Sequence, residues 1–371
     1  MGTPSYRYLF TDLLTDAAID VLPMSGVSFD CRLNEPGALQ GTIPVPNSGL
    51  GLRASKIIEG RTALWVYRDN EIWWGGIVWI YRTRKDGNGI IVADVQAATF
   101  ESYLARRILR VDKTYTATDQ FAIVRSLIDE MQITSNGNLG ITYDTQNAGV
   151  VRDRVYSGTA AKSYGEIIQE LSAVIGGFDF GIFPYEDANG VRVKRLRLGY
   201  PRLGQSVTPH PFSSPGPILA YTWHRDATIG GTSFQARGAA LNVDGGQADE
   251  PLMSTIYPAQ GYLDGGWPLL DITNDYSAVE VAATLNEHAQ GDRVQQTGSV
   301  IIPDVTVRLI GSTLKPTNLG DHVAIKISDP WWPAGPDGSP ALNKTYRLIG
   351  ITVTAADRDT PETADLLLEA V

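Results

Sequence analysis

Carboxylate pairs are the first residues in this chain that could do chemistry. Asp12 with Asp16 and Asp357 with Asp359 offer the residue type that glycosidases use, one carboxyl as acid and the other as base or nucleophile. Both pairs sit in turn-rich segments, where Asp side chains bond the local backbone, and closeness in sequence does not set the separation that hydrolysis needs. Four histidines, His210, His224, His288 and His322, are scattered singly, without metal-site spacing, and read as structural or surface residues. The run RVKRLR from Arg192 to Arg197 places cations on both faces of a strand and reads as an exposed edge guarded by charge. G-x-S-x-G, the Walker loop, the dinucleotide-binding glycines, H-E-x-x-H and the EF-hand spacing do not occur. No enzymatic activity, no cofactor and no metal site is therefore expected.

Aromatic residues carry more information. Trp73-Trp74 and Trp331-Trp332 are adjacent pairs, and neighbours on a strand point to opposite faces, so one of each pair must find a second surface. A neighbouring loop of the chain, a subunit interface and a sugar-stacking platform would each supply that surface. Trp73, Trp74, Tyr81, Trp331 and Trp332 are the candidate interface residues.

The elements that hold them read as mainly β. Arg61 to Ala98 gives three antiparallel strands, with the turn KDGNG between the second and third. The same syntax returns near the C-terminus in LGDHVAIKISD, a Pro- and Gly-rich loop, KTYRLIGITVTAADR, the turn DTPET and ADLLLEAV. Upstream, Val27, Phe29 and Cys31 alternate with Ser28, Asp30 and Arg32 as a half-buried strand does. Between the two meanders the grammar changes. Thr118 is placed to cap a helix to about Gln132, with Phe121, Ile123, Val124, Leu127, Ile128 and Met131 as its apolar stripe. Ser163 and Glu166 form a capping box for a second helix, with Ile167, Ile168, Leu171, Val174 and Ile175 inward and Gly176-Gly177 as its stop. FDFGIFPY and VRVKRLRLGY follow as strands. Ser277 with Glu280 is placed to cap a third helix.

The fold class is α+β, mainly β: two similar antiparallel β-barrel domains with two α/β insertions. The expected division is 1–111 for the first barrel, 112–206 for the first insertion, 207–242 with 299–371 for the second barrel, and 243–298 for a loop-rich insertion with one helix. A chain of 371 residues exceeds the roughly 250 to 300 at which single cores stop growing, which suits several domains. Its net charge of -10 lacks the basic footprint that binds nucleic acid or an anionic membrane. The single cysteine, Cys31, forms no intrachain disulfide and suits a reducing compartment. No apolar run approaches the roughly 20 residues of a membrane helix, and the N-terminus lacks the order of a secretory signal or a myristoylation motif.

With WVYRDNEIWWGGIVWIYRTR, TATDQFAIVRSLIDEM, LGDHVAIKISD and TYRLIGITVTAADRDTPETADLLLEAV in place, the chain resembles the tail hub, or baseplate hub, proteins of tailed bacteriophages and related injection machines. The resemblance spans nearly the whole chain, except the loop from Gln247 to Pro268. It implies two tube-like barrels per chain and a homotrimer, so that a threefold ring of six barrels continues a sixfold tail tube at the virion tail tip. Its implied partners are the tail tube or distal tail protein, the tape-measure protein, and tail fibre or spike proteins. DNA would pass through the channel without specific binding, in keeping with an acidic chain, and assembly would occur in the host cytoplasm. A carbohydrate-binding β protein acting at a cell wall is the alternative reading, and a hydrolase using the carboxylates above is a third.

Overall fold

The computed structural model describes residues 3–241, 250–277, 279, 281–298, 300–358 and 360–371. Strands β1 (Tyr6–Asp12), β2 (Ala18–Val21), β3 (Ser25–Arg32) and β4 (Ala38–Pro44) precede a short helix, α1 (Ser48–Ala54). Then come β5 (Thr62–Arg68), β6 (Glu71–Lys85) and β7 (Ile91–Thr99). Their order in the sheet is β2-β1-β5-β6-β7-β4-β3. The expected three-strand meander is present, and Asp86 closes its turn by accepting the N–H groups of Asn88 and Ile90.

The first insertion holds β8 (Lys113–Asp119), α2 (Gln120–Ile133), β9 (Ile141–Tyr143), β10 (Val151–Tyr156), α3 (Tyr164–Ser172), β11 (Asp179–Glu186) and β12 (Arg192–Gly199). Asp119, not Thr118, caps α2; Thr118 is still in the strand, and the Asp119 carboxylate accepts the Phe121 and Gly149 N–H groups at 2.9 and 2.8 Å. The Ser163–Glu166 capping box forms as expected, but α3 ends at Ser172, leaving Ile175 exposed. The apolar stripes of α2 and α3 pack in one core with Trp65 and Phe100 of the first β unit. RVKRLR is not an exposed edge, because β12 lies between β11 and β9. Lys194 within it is buried, donates to the Leu139 carbonyl at 2.8 Å, and is pushed down in pKa by burial.

Strands β13 (His210–Ser214) and β14 (Ile218–Asp226) open the second β unit. From Thr222, within β14, to Asp304 the chain forms a separate compact unit. In it β15 (Ser233–Leu241) pairs antiparallel with β16 (Glu250–Met253) and β17 (Tyr257–Pro258); after α4 (Gln260–Asp264) comes β18 (Asp271–Asp275), parallel to β15. Helix α5 (Ala282–Gln296) lays Leu285 and Ala289 on Ala236. Its N-cap is Val281, whose side chain cannot accept a backbone N–H; Glu280, expected in the cap, lies outside the described residues, as do residues 247–249 of the unmatched loop. TSFQARGAALN was expected in the second β unit, whereas β15 belongs to this smaller sheet.

The chain then returns through β19 (Val300–Val307), β20 (His322–Ile327), β21 (Leu342–Thr354) and β22 (Thr363–Ala370). The order β13-β20-β21-β22-β19-β14 repeats β1-β5-β6-β7-β4-β3 strand for strand. Details repeat as well. The register against the third strand shifts at Val78/Ile80 in β6 and at Leu348/Gly350 in β21. Gly60 and Gly320, both at positive φ, donate to the carbonyls of Val78 and Leu348 just before those shifts. Thr42 donates to Asp94 at 3.2 Å, and Thr306 donates to Asp365 at 2.6 Å. One departure is that β13 runs parallel to β20, whereas β1 is antiparallel to β5.

The two β units are joined by backbone. The first half of β21 pairs with β20, and the second half, Gly350 to Thr354, pairs antiparallel with Arg32 to Ser28 of β3. A buried cluster reinforces the seam. Glu362, 1 % exposed, accepts the Tyr6 hydroxyl at 2.6 Å and the Arg68 guanidinium at 2.6 and 2.8 Å. Glu362→Gln leaves the partly exposed Arg68 cation with only the exposed Asp69, at 3.3 Å, as a charged partner, and should cost about 2 kcal/mol in chemical denaturation at pH 7. An unchanged midpoint would count against the cluster as a clamp. Burial, then the Glu362 carboxylate, pushes the Tyr6 hydroxyl far above the usual tyrosine value of about 10. The folded state holds this proton more tightly than the unfolded chain does. Its contribution is complete below about pH 10 and is lost as pH rises above that. Denaturation midpoints should therefore fall above about pH 10, and less so in Tyr6→Phe.

Candidate functional site

The sheet shared by the two β units has one apolar and one polar face. Phe29, Leu39, Val95, Val353 and Leu366 are buried on the first. Ser28, Gln40, Gln96, Thr352 and Thr354 lie on the second, where a trough of about 500 Å³ opens between Ser28, Gln40, Gln96 and Thr352, with the apolar Ile80 and Trp79 also in its lining. Two cations on this face meet acids, Arg84 bonding Asp94 at 2.9 Å and Arg32 bonding Asp30 at 3.0 Å, while Arg82, opposite Asp94, stands exposed. The Arg84 guanidinium, followed by the Thr42 hydroxyl, holds the Asp94 carboxyl below its ordinary range. Short hydroxyl and amide side chains and the two ion pairs leave few free cations on this face to hold phosphates.

A second feature is an incomplete edge. β5 covers β6 only as far as Ile77, and beyond it β6 pairs with β7 alone among the described residues. Beside this edge lies a groove of about 810 Å³, lined by Pro44, Ala54, Tyr81, Thr83 and Ile91. Tyr81 is half-buried there, with its hydroxyl donating to the Ala54 carbonyl at 2.9 Å.

The candidate tryptophans separate into two kinds. Trp73 and Trp74 are both buried within the chain, 4 % and 0 % exposed. Strict alternation fails there because β6 bulges: Val66 faces Trp74 and Tyr67 faces Ile72, leaving Trp73 as the extra residue. Trp74 donates to the Asp30 carbonyl at 2.9 Å, and the Arg68 guanidinium lies 4.3 Å from the Trp73 ring. Gly76 makes room for Trp74, since a Cβ there would stand 2.4 Å from that ring. At the other pair, Trp332 packs on Tyr221 with ring centres 5.4 Å apart, and Trp331 stands 75 % exposed. Asp329 shapes this loop by accepting the Trp331 and Trp332 N–H groups at 2.9 Å each and the Tyr221 hydroxyl. That bond pushes the Tyr221 hydroxyl up to about 12 and holds Asp329 below its ordinary range.

The acid–base candidates resolve into local pairs. Asp12 accepts Thr15 and Arg61, which bring its carboxyl down to about 2, and Asp16 pairs with Arg192 at 2.8 Å. Asp357 closes a turn by accepting the Thr360 N–H, and Asp359 lies outside the described residues. One arrangement escaped the sequence reading. His210 sits between the Thr313 hydroxyl at 2.8 Å and the Asp321 carboxylate at 3.2 Å, joining residues more than a hundred positions apart. Burial alone would raise the Asp321 carboxyl, but His210 and the Gln205 N–H hold it low. With its imidazole buried, this relay reads as a tie between β13 and the segment before β20. Among the described residues, no three His, Cys, Asp or Glu side chains are grouped to hold a metal ion, and no helix is long and apolar enough to cross a membrane.

No protein-family model matches the sequence, and no curated protein matches it by sequence. Solved structures do resemble it in fold. The 43 kDa tail protein of prophage MuSo2 from Shewanella oneidensis superposes with a TM-score of 0.63 at 12 % identity, covering 99 % of this chain and 98 % of that one. The tail protein from Neisseria meningitidis MC58 gives 0.58 at 13 % identity, covering 98 % and 96 %. Prophage tail protein gp18 from Listeria monocytogenes EGD-e gives 0.55 at 11 % identity, covering 97 % and 94 %. Carried over nearly the full length of each, the duplicated, seam-joined architecture of this chain is the fold of phage tail proteins.

Proposed function

We propose that the chain is a structural protein of a bacteriophage tail tip, a homotrimeric hub that adapts a sixfold tube to a threefold tip. The observation that carries this reading is the repeated strand order within one chain, because two equivalent β units in each of three copies supply six similar elements to a ring. Tail tube or distal tail protein would sit on one side, and tape-measure, fibre or spike proteins on the other. The polar sheet face suits the channel wall. Its Arg84–Asp94 and Arg32–Asp30 pairs and short side chains, in a chain of net charge -10, would let DNA slide past without adhering. Trp331, and Tyr81 beside the groove, are the members of the aromatic set that remain available to partners. The role is mechanical rather than catalytic, located in the virion.

Light scattering should give a mass three times 40.3 kDa, with negative-stain averages showing six lobes around an open centre. A monomer at all accessible concentrations would end the hub reading. Nanogold attached at Gln96→Cys should appear inside the ring, and label on the outer rim would remove the channel-wall assignment. Native Cys31 is set aside from such labelling because burial pushes its thiol pKa up. The carbohydrate reading is favoured by one feature, the exposed Trp331 ring held by Asp329. Glycan binding that disappears in Trp331→Ala with oligomer mass unchanged would establish it in place of the hub.

A further inference from the structure

The edge by which the first insertion docks is completed by side chains instead of a strand. β11 ends its sheet, pairing with β12 alone among the described residues. Along its other side Phe180 and Ile182 send their N–H groups outward, and Pro184, the next outward position, has none. Two residues of the first β unit meet them. Asn34, just after β3, accepts the Phe180 N–H at 2.7 Å and donates its own N–H to the Phe180 carbonyl at 3.0 Å. Glu101, in the turn that follows β7, accepts the Ile182 N–H through Oε1. Asn34 is neutral at any pH, whereas a carboxyl in this position holds either a proton or a charge.

The surroundings favour the proton. Glu101 is 7 % exposed, and its Oε2 has no hydrogen-bond partner among the described residues. It lines a cavity of about 10 Å³ with Cys31, Thr99, Phe183, Pro316 and Leu319. That is no more room than one water centre requires, so no hydrated cation can enter to balance a charge. The charged and titratable groups packed around it are engaged elsewhere. From β3 the Cys31 thiol faces it, pushed up by burial and then by Glu101 itself, while Arg32 bonds Asp30 and Glu35 at 3.0 and 3.1 Å. From β12 Lys194 stands over the Phe100 ring, 5.2 Å from its centre, and donates to Leu139. Asp179 of β11 bonds Arg347, and Lys315, beside Pro316, bonds Glu71 at 2.6 Å. From α3, Tyr164 belongs to the shared core and Glu166 accepts the Ser163 N–H; Arg106, in the same turn as Glu101, lies over the Trp79 ring. A buried carboxylate without a cation is strongly disfavoured. Accordingly, burial pushes the Glu101 carboxyl above its ordinary value, with the Ile182 N–H and then the Thr99 hydroxyl opposing, and no cation is among the groups that act on it.

We propose that Glu101 is a proton-dependent latch: as a neutral acid it holds the β11 edge of the insertion onto the first β unit, and on losing its proton it loosens that edge. The sign follows from the two states. With the edge open, the carboxyl is in water and titrates near 4.5; with the edge docked, it keeps its proton to higher pH. The latch therefore contributes fully below about pH 4.5, and its contribution is lost as pH rises through the docked value. Acid tightens the insertion and higher pH loosens it.

The test compares the intact wild-type chain with Glu101→Gln, which keeps an acceptor for Ile182 and cannot ionise. In hydrogen exchange corrected for the intrinsic rate at each pH, wild-type protection of segment 178–186 should fall between about pH 5 and about pH 8, by up to about tenfold per pH unit, while β22 keeps its protection. In Glu101→Gln the segment should stay protected throughout, and the variant's denaturation midpoint should draw ahead of wild type as pH rises. Wild-type protection at 178–186 that is flat or grows with pH overturns the latch, and so does a Glu101→Gln profile that falls with the wild-type slope. Should the variant fail to fold, the wild-type profile of segment 178–186 against β22 decides alone.

Discussion

The pairing of β3 with the second half of β21 is the constraint on which the rest of the structure depends. A strand exposes opposite faces at successive residues, so this one register decides which side of both β units is core and which is water. With Thr354 opposite Ser28, Val353 and Phe29 turn inward together and Thr352 turns outward with Asp30. A slip by one residue would bury the hydroxyls and carboxylates and expose the apolar row. The bidentate Arg68–Glu362 bond holds that register from the far side of the turn between β21 and β22, where Glu362 enters the first β unit.

From that seam the surrounding parts follow. The first insertion packs the apolar stripes of its helices against Trp65 and Phe100, and a buried cation, Arg347, ties it to the closing strands by bonding Asp179 and the Leu203 carbonyl. Buried ion pairs of this kind add little net stability over apolar packing, but losing one partner is costly, so they penalise alternative registers more than they strengthen the native one. Asp179 also accepts the Leu203 N–H and the Asn34 amide, so a single carboxylate orients strands of both β units and the insertion.

Duplication accounts for the proposed assembly economically. The repeated Thr–Asp pairs, Thr42 with Asp94 and Thr306 with Asp365, place the same polar contact on the same face of each unit. A channel wall needs that face to be uniform around a ring, and a duplicated sheet supplies uniformity without further specification.

Much of this was legible in the residues alone. Alternation in VSFDCR, the aromatic strand pair after Arg61, the capping box at Ser163 and the returning three-strand syntax depend on local periodicity and turn chemistry, which a short window of sequence contains. They determined the mainly β class, the duplication and the helices of the insertion. What required the tertiary structure depends on partners distant in the chain. The bulge that buries both Trp73 and Trp74 exists because Val66 and Tyr67 set the register opposite. β12 is central because β9 arrives from some fifty residues upstream to pair with it. His210 becomes a relay because Thr313 and Asp321 close on it, and the open edge of β6 is visible only against the covered edge of β21. Local sequence encodes which face a side chain takes, and pairing across the chain decides what that face meets.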